Sequence, residues 1–142
     1  MNLAVSIVCR DLDDVIMFHQ KGMLKPLRAK GYVFTTTHSV IESYGFLSIQ
    51  LNSLINTNLL QIKKMNEFEY SQSVKIYKQN QSALSLTDCT VIYYASSCSG
   101  TLITNENIII KVCNKLNISY QRNEMFLNDS MKILKRKGVY YM

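Results

Sequence analysis

The sequence contains little proline and glycine, with one proline and five glycines among its 142 residues. Disordered segments are typically rich in proline and polar residues, whereas this chain is 47% hydrophobic and only 18% charged. A chain of this length accommodates one domain with a single core. We therefore predict that residues 1–142 form a single folded domain.

Long hydrophobic runs are also missing from the sequence. No stretch of about 18 consecutive apolar residues occurs, so the sequence predicts no membrane-spanning helix. The first residues, "MNLAVSIVCRDLDD", lack both the basic start and the long apolar core of a signal peptide. We expect a cytoplasmic protein that does not associate with a membrane.

Paired cysteines are absent as well. The four cysteines are scattered along the chain: Cys9, Cys89, Cys98 and Cys113. None of them forms a Cys-x-x-Cys pair, and neither histidine lies at the spacing of a zinc ligand from them. Unpaired cysteines are typical of reducing compartments, so we expect reduced, structural cysteines in a cytoplasmic protein.

Acidic residues are the scarcer of the two charge types. Lysine and arginine number 16 against 10 aspartates and glutamates, which gives a net charge of +6. A basic surplus favours an anionic partner such as nucleic acid, although an ordinary solvated basic surface gives the same count. Charge alone leaves both explanations open.

Short apolar segments alternate with helical patterns along the chain. Strands are predicted at residues 3–9, 32–37, 59–62, 100–104 and 118–122. Helical patterns cover residues 15–31 with a break at Gly22, and then residues 38–56, 67–80, 85–97, 107–117 and 125–138. An alternation of this kind predicts an α/β fold, a single-domain α/β/α sandwich with a mostly parallel sheet.

The acidic residues are not spread evenly over these elements. Six of the ten follow a strand or begin a helix: Asp11, Asp13, Asp14, Glu42, Asp88 and Glu106. In an open α/β sheet, ligands bind at the carboxyl ends of the strands. Carboxylates gathered at that edge repel one another unless a cation lies among them, and Mg²⁺ and Mn²⁺ prefer oxygen ligands. The distribution therefore predicts a divalent metal site.

Helix capping explains each of these acids when it is considered alone. One of the early aspartates is the expected N-cap of the first helix, and Glu42 completes a capping box with Ser39 in "SVIE". Asp88 and Glu106 suit the first turn of a helix because an acid there interacts favourably with the helix dipole. Capping does not explain why the acids concentrate at one edge, which favours the metal site.

Four stretches of the sequence resemble the PIN domain family, the fold of the VapC-type toxin ribonucleases. The segment "SIVCRDLDDVIMFHQKGML" is similar to the family's first strand and helix, which places Asp11 on the first acid and Asp13 on a small polar position. The segment "VFTTTHSVIESY" places Glu42 on the second acid. The third, "LSLTDCTVIYYA", resembles the family's Leu-Ser-x-x-Asp segment and places Asp88 on the third acid.

The fourth stretch, "GTLITNENIIIKVCNKLNI", places Thr104 on the family's threonine and Glu106 on its fourth acid. Two residues depart from the family pattern. Asp13 stands where Asn, Ser or Thr is usual, and Glu106 stands where Asp is usual, so its carboxylate lies one methylene further out.

The resemblance implies a metal-dependent endoribonuclease that hydrolyses RNA phosphodiesters with Mg²⁺ or Mn²⁺. It implies a set of catalytic acids, namely Asp11, Glu42, Asp88 and Glu106, with Asp11, Asp88 and Glu106 as metal ligands. Thr104 is expected to hold a carboxylate by a hydrogen bond, while Arg10, Lys111 and the basic tail contact the RNA backbone.

The resemblance also implies an antitoxin partner that blocks the acidic groove, and a homodimer. The alternative is a catalytically inactive PIN-like module that binds nucleic acid or protein. A response-regulator receiver ranks below both, because the segment "LLQI" lacks the phosphoacceptor aspartate that such a domain needs.

Overall fold

The structure, a computed structural model, describes residues 4–80 and 83–136. One sheet of five parallel strands has the order β3-β2-β1-β4-β5. The strands are β1 (Val5–Cys9), β2 (Tyr32–Thr37), β3 (Gln61–Lys63), β4 (Thr101–Ile103) and β5 (Tyr120–Gln121). The helices in the described ranges are α1 (Leu12–Gln20), α2 (Leu24–Ala29), α3 (His38–Tyr44), α4 (Ile49–Asn56), α5 (Glu67–Asn80), α6 (Leu86–Ser97), α7 (Asn107–Leu116) and α8 (Asn123–Arg136). No helix in the described ranges has the length and hydropathy needed to cross a bilayer.

Helices cover both faces of the sheet. Successive side chains of a strand point to opposite faces. From β2, the ring of Phe34 packs 6.3 Å from that of Phe18 in α1 and 6.0 Å from that of Phe126 in α8. The hydroxyl of Thr37, on the other face, lies 2.9 Å from that of Thr90 in α6. The three-layer α/β/α sandwich is therefore confirmed, and its sheet is entirely parallel.

The predicted helix over residues 38–56 is in fact two helices. Gly45 has a φ of +68°, a conformation that ends α3 and that side chains with a Cβ rarely adopt. Ser48 then caps α4, since its hydroxyl accepts a hydrogen bond from the backbone nitrogen of Leu51 at 3.1 Å. The apolar spacing continues through the break, so the periodicity alone did not reveal it.

Other boundaries differ from the prediction by a few residues. The strand predicted at residues 59–62 is shifted to Gln61–Lys63, because the backbone nitrogens of Leu59 and Leu60 still bond to the carbonyl oxygen of Leu54 at the end of α4. Leu3 and the apolar end "VYYM" lie outside the described residues. The second strand and the helix of residues 67–80 have the predicted bounds.

The order of the strands creates a topological switch point at β1. The chain passes from β1 to β2 and β3 on one side, and later returns to place β4 and β5 on the other. Cys9 at the end of β1 pairs in register with Ile103 at the end of β4. Ligands of open α/β sheets bind in the crevice outside the carboxyl ends of the strands at such a point. The residues that follow β1 and β4 are therefore where a site is expected.

The buried carboxylate of Asp14 connects the first helix to the last. The side-chain nitrogen of Asn123 in α8 donates a hydrogen bond to Oδ1 of Asp14 at 2.8 Å. Burial raises the pKa of Asp14, the Asn123 hydrogen bond opposes that rise, and the charges of Asp11 and Asp13 add to it. Because a raised pKa favours the protonated form in the folded state, this residue lowers stability as the pH rises through its folded pKa.

We predict that Asp14→Asn raises the melting temperature at neutral pH, because the amide carries no charge and still accepts the bond from Asn123. The advantage should disappear as the pH falls below about 4, where the wild-type carboxyl becomes protonated in the unfolded state as well. Thermal melts across this pH range test the prediction, with the exposed Glu124→Gln as control. An advantage of equal size at every pH would contradict it.

Candidate functional site

A cavity of about 300 Å³ opens at the carboxyl edge of the sheet beside the switch point. Its lining consists of Arg10, Asp11, Ser43, Tyr44 and Glu106. These residues come from the segment after β1, from α3 and from the segment after β4. The position agrees with the edge predicted from the sequence, and two of the predicted acids lie in the cavity.

The carboxylate of Asp11 is held in a fixed orientation. Asp11 is the N-cap of α1, and its Oδ1 accepts a hydrogen bond from the backbone nitrogen of Asp13 at 3.2 Å. The hydroxyl of Tyr44 donates to the same oxygen at 3.0 Å and accepts a bond from the backbone nitrogen of Leu12 at 3.1 Å. Within residues 4–80 and 83–136, no hydrogen bond reaches Oδ2 of Asp11. That oxygen remains available to a ligand.

Tyr44 lines the cavity but was not singled out from the sequence, because its ring fits the apolar spacing of the helical pattern over residues 38–56. Burial raises the pKa of Tyr44 to about 12, and the hydrogen bond to Asp11 contributes to the rise. The phenol therefore keeps its proton at neutral pH and donates to the carboxylate. The sequence did place Tyr44 in the helix that follows β2. Because this helix begins at the carboxyl edge of the sheet, that position could have identified Tyr44 as a candidate.

Glu106 is positioned through its backbone. The hydroxyl of Thr104, which is buried, accepts a hydrogen bond from the backbone nitrogen of Glu106 at 3.1 Å. Thr104 was expected to hold a carboxylate, and the structure shows it holding this amide instead. The side chain of Glu106 is exposed and makes no capping bond to α7. Its carboxylate can therefore reach a ligand in the cavity.

Asp88 has two partners among the described residues, Ser85 and Arg10. Its Oδ2 accepts a bond from the backbone nitrogen of Ser85 at 3.1 Å, while Oγ of Ser85 accepts one from the backbone nitrogen of Asp88 at 3.0 Å. This reciprocal pair is a capping box at the start of α6. In addition, Nε of Arg10 donates to Oδ1 of Asp88 at 2.5 Å. A cap and an ion pair together compensate the buried charge.

Arg10 thus places a fixed positive charge at the acidic edge. Its side chain is 22% exposed and that of Asp88 is 11% exposed, so water screens their attraction only in part. Among the hydrogen bonds of the described residues, Arg10 uses only its Nε. A guanidinium has five N–H donors, so the remaining four are available to an anionic ligand in the cavity.

Glu42 lies in a different cavity from the other predicted acids. Its Oε1 is 2.9 Å from Nδ1 of His38, and its side chain is 68% exposed. The capping box predicted for Ser39 and Glu42 is wrong, because Thr37 is the N-cap of α3. The structure therefore brings Arg10, Asp11 and Glu106 to one cavity and attaches Asp88 to it through Arg10. Across the part of the chain that is described, no group of three His, Cys, Asp or Glu side chains is arranged to hold a metal ion.

The remaining predicted residues lie outside the cavity lining. Asp13 is exposed on α1 and contributes its backbone nitrogen to Asp11, and Lys111 is exposed on α7. The four cysteines are free thiols. Burial raises the pKa of Cys9, and raises those of Cys89 and Cys113 to about 11, so these thiols are protonated at neutral pH and are poor nucleophiles.

Comparisons with known proteins identify the fold. No family model and no curated protein matches the sequence. A chain of the VapBC-1 structure from nontypeable Haemophilus influenzae superposes with a TM-score of 0.54 at 11% identity, covering 84% of this chain and 98% of that one. PAE2754 from Pyrobaculum aerophilum gives a TM-score of 0.59 at 13% identity, covering 92% of this chain and 98% of its own. These likenesses show the fold and do not extend to the chemistry.

We predict that Arg10→Met lowers the free energy of unfolding by about 1–3 kcal/mol, because it leaves a largely buried carboxylate without its cation. Chemical denaturation at neutral pH measures the change. The matched control is Arg28→Met, which removes an exposed arginine of α2. Equal stability of the two variants would show that the Arg10–Asp88 pair contributes nothing.

Proposed function

We propose that this chain, which has a PIN-like fold, is a metal-dependent endoribonuclease whose active site is the switch-point cavity. The observation that carries the proposal is the lining of that cavity. Two carboxylates from distant parts of the chain, Asp11 and Glu106, share it with the guanidinium of Arg10. Carboxylates that bind a cation, beside an arginine that binds a phosphate, suit the metal-assisted hydrolysis of a phosphodiester.

The donor set fits a hydrated Mg²⁺ or Mn²⁺. Mg²⁺ usually keeps several water ligands and is bound by one or two carboxylates together with substrate phosphate. Asp11 and Glu106 supply two carboxylates, and Oδ2 of Asp11 is unengaged in the described part of the chain. We assign these two residues as ligands. Two carboxylates are too few to coordinate such an ion by protein ligands alone, so water or substrate oxygens must complete its coordination.

Each residue of the cavity then has a chemical task. Arg10 binds the non-bridging oxygens of the scissile phosphate and stabilises the charge that develops on them. Asp88 fixes the orientation of Arg10 through the bond to its Nε. Tyr44 orients the carboxylate of Asp11. Asp11 and Glu106 would hold a divalent ion, which would lower the pKa of a bound water.

The charge of the chain supports RNA as the substrate. With a net charge of +6, it attracts a polyanion at long range, and exposed lysines such as Lys111 suit phosphate contacts. Contacts of this type position the strand and carry no sequence information. Binding should therefore weaken steeply as salt is added.

A second candidate is a PIN-like module that binds RNA without cleaving it. The ion pair between Arg10 and Asp88 favours this candidate, because a guanidinium already neutralises one of the acids that the resemblance assigns to the metal. The missing three-acid group in the described ranges favours it too. Such a module binds RNA but gains no stability from Mn²⁺.

A partner protein and a homodimer are further proposals, supported by one structural neighbour and by exposed apolar side chains. That neighbour is a VapBC-1 structure, and we propose by analogy an antitoxin partner for this chain. Phe46 is 85% exposed and Ile49 is 90% exposed, next to the break between α3 and α4. Exposed apolar residues in proximity are typical of interaction surfaces, so we assign this pair to the interface of the homodimer.

We predict that Phe46→Ser combined with Ile49→Ser converts a dimer into a folded monomer, because both side chains lie outside the core of the single chain and would be buried only between two copies. Light scattering coupled to gel filtration measures the mass. The exposed Phe68→Ser on α5 is the control and should leave the dimer intact. A monomeric wild-type protein, or a double variant that remains dimeric, would contradict the proposed interface.

We predict that Mn²⁺ raises the melting temperature of the wild-type chain and supports cleavage of a single-stranded RNA. At 100 times its Kd, a bound ion adds about 2.7 kcal/mol to stability. Asp11→Asn and Glu106→Gln should each abolish the Mn²⁺-dependent shift and lower cleavage by at least about 100-fold. Asparagine remains a good N-cap and Glu106 makes no cap bond, so both variants should fold.

The control for this experiment is Glu124→Gln on the exposed surface of α8, which should retain both the shift and the activity. The variant Asp88→Asn tests whether Asp88 orients Arg10, as we propose, or binds the metal directly. We expect it to retain the Mn²⁺ shift while lowering cleavage. Loss of the shift in Asp88→Asn would make Asp88 a ligand, and a wild-type chain that binds RNA without any shift would establish the binding module.

A further inference from the structure

A second cavity of about 260 Å³ lies along the same edge of the sheet, where β2 and β3 end. Its lining consists of Thr37, His38, Ser39, Glu42, Lys63, Lys64, Met65 and Tyr70. Helix α3 contributes to both cavities, since Glu42 lines this one while Ser43 and Tyr44 line the switch-point cavity. A strand of nucleic acid bound in the first cavity can therefore continue into the second.

The imidazole of His38 lies beside the carboxylate of Glu42 in this cavity. Its Nδ1 lies 2.9 Å from Oε1 of Glu42, and an ionised carboxylate can only accept a hydrogen bond. Nδ1 is therefore the nitrogen that faces Glu42. No hydrogen bond within the described ranges engages the opposite nitrogen, Nε2. Because Nδ1 faces Glu42, the Nε2 atom of this half-exposed imidazole remains available to a ligand.

A ribose 2′-hydroxyl suits that nitrogen in either charge state of the ring. Neutral imidazole offers Nε2 as an acceptor and imidazolium offers it as a donor, and a hydroxyl can complement both. The 2′-hydroxyl is also the group by which proteins distinguish RNA from DNA. A contact between Nε2 of His38 and a 2′-hydroxyl would therefore favour RNA over DNA.

An aromatic ring and a lysine complete the set that a nucleotide needs. Tyr70 is 45% exposed, so its ring can stack on a base, an interaction that tolerates any sequence. Lys63 is occupied by Glu69, whose Oε2 lies 3.2 Å from its Nζ. Lys64 is exposed and supplies a positive charge for a phosphate.

We propose that this second cavity is an RNA-selective nucleotide subsite. The 2′-hydroxyl bonds to Nε2 of His38, the base stacks on Tyr70, and the phosphate contacts Lys64. Glu42 is a positioning residue that acts through His38. The proposal rests on the proposed function in that it takes RNA as the substrate, but it requires neither a metal ion nor cleavage.

The experiment compares a single-stranded RNA with the DNA of the same sequence, both fluorescently labelled, by anisotropy in EDTA. The wild-type chain should bind the RNA more tightly. His38→Phe removes one hydrogen bond, so it should weaken RNA binding about 3- to 10-fold and leave DNA binding unchanged. The matched control is His19→Phe in α1, which lies outside both cavities and should retain the RNA preference.

Three further variants test the other roles. Glu42→Gln should reduce the RNA preference without abolishing binding, because an amide fixes the imidazole less firmly than a carboxylate does. Tyr70→Ala and Lys64→Ala should weaken RNA and DNA about equally, by about 5-fold or more for the tyrosine. The exposed Phe68→Ala serves as the control for Tyr70, since it lies on the same helix outside the cavity.

A His38→Phe variant that folds and keeps the wild-type ratio of RNA to DNA affinity would overturn the subsite. The same conclusion follows if all four variants bind RNA as tightly as the wild type does, whether or not Mn²⁺ supports cleavage. An RNA preference that depends on His38 in a chain that never cleaves RNA would support the subsite and reject the nuclease. Failure of one proposal is thus distinguishable from failure of the other.

Discussion

The ion pair between Arg10 and Asp88 is the interaction on which the candidate site depends. It joins the end of β1 to the start of α6 across 78 positions of sequence. A carboxylate at this depth is costly unless it is paired, and the capping box with Ser85 satisfies only one of its oxygens. By supplying the missing positive charge, Arg10 leaves Asp88 compensated without a metal and directs its remaining N–H groups to the adjacent cavity.

Most of the fold could be predicted from the sequence because its determinants are local. Apolar runs of strand length alternate with helical spacing, and parallel strands joined by helices leave few possible topologies. The break between α3 and α4 was not predictable from periodicity, since the apolar spacing continues on both sides of it. The positive φ of Gly45 and the cap at Ser48 decide that break.

The candidate site could be predicted only in part. The edge of the sheet and the presence of Asp11 and Glu106 followed from their positions after β1 and β4. The partner of Asp88 did not follow, because either a metal ion or a guanidinium can compensate a carboxylate and the sequence does not show which of them lies beside it. Tyr44 and Glu42 lie two residues apart on α3, yet helical geometry directs them to different cavities. The spacing of acids in the sequence does not carry that information.

Anomalous diffraction from crystals grown with Mn²⁺ tests the central claim most directly. We expect a manganese peak within bonding distance of carboxylate oxygens of Asp11 and Glu106, while Nε of Arg10 remains bonded to Asp88. A manganese ion bound to Asp88 with Arg10 displaced would contradict this account. A cavity without manganese at saturating concentration would contradict it equally.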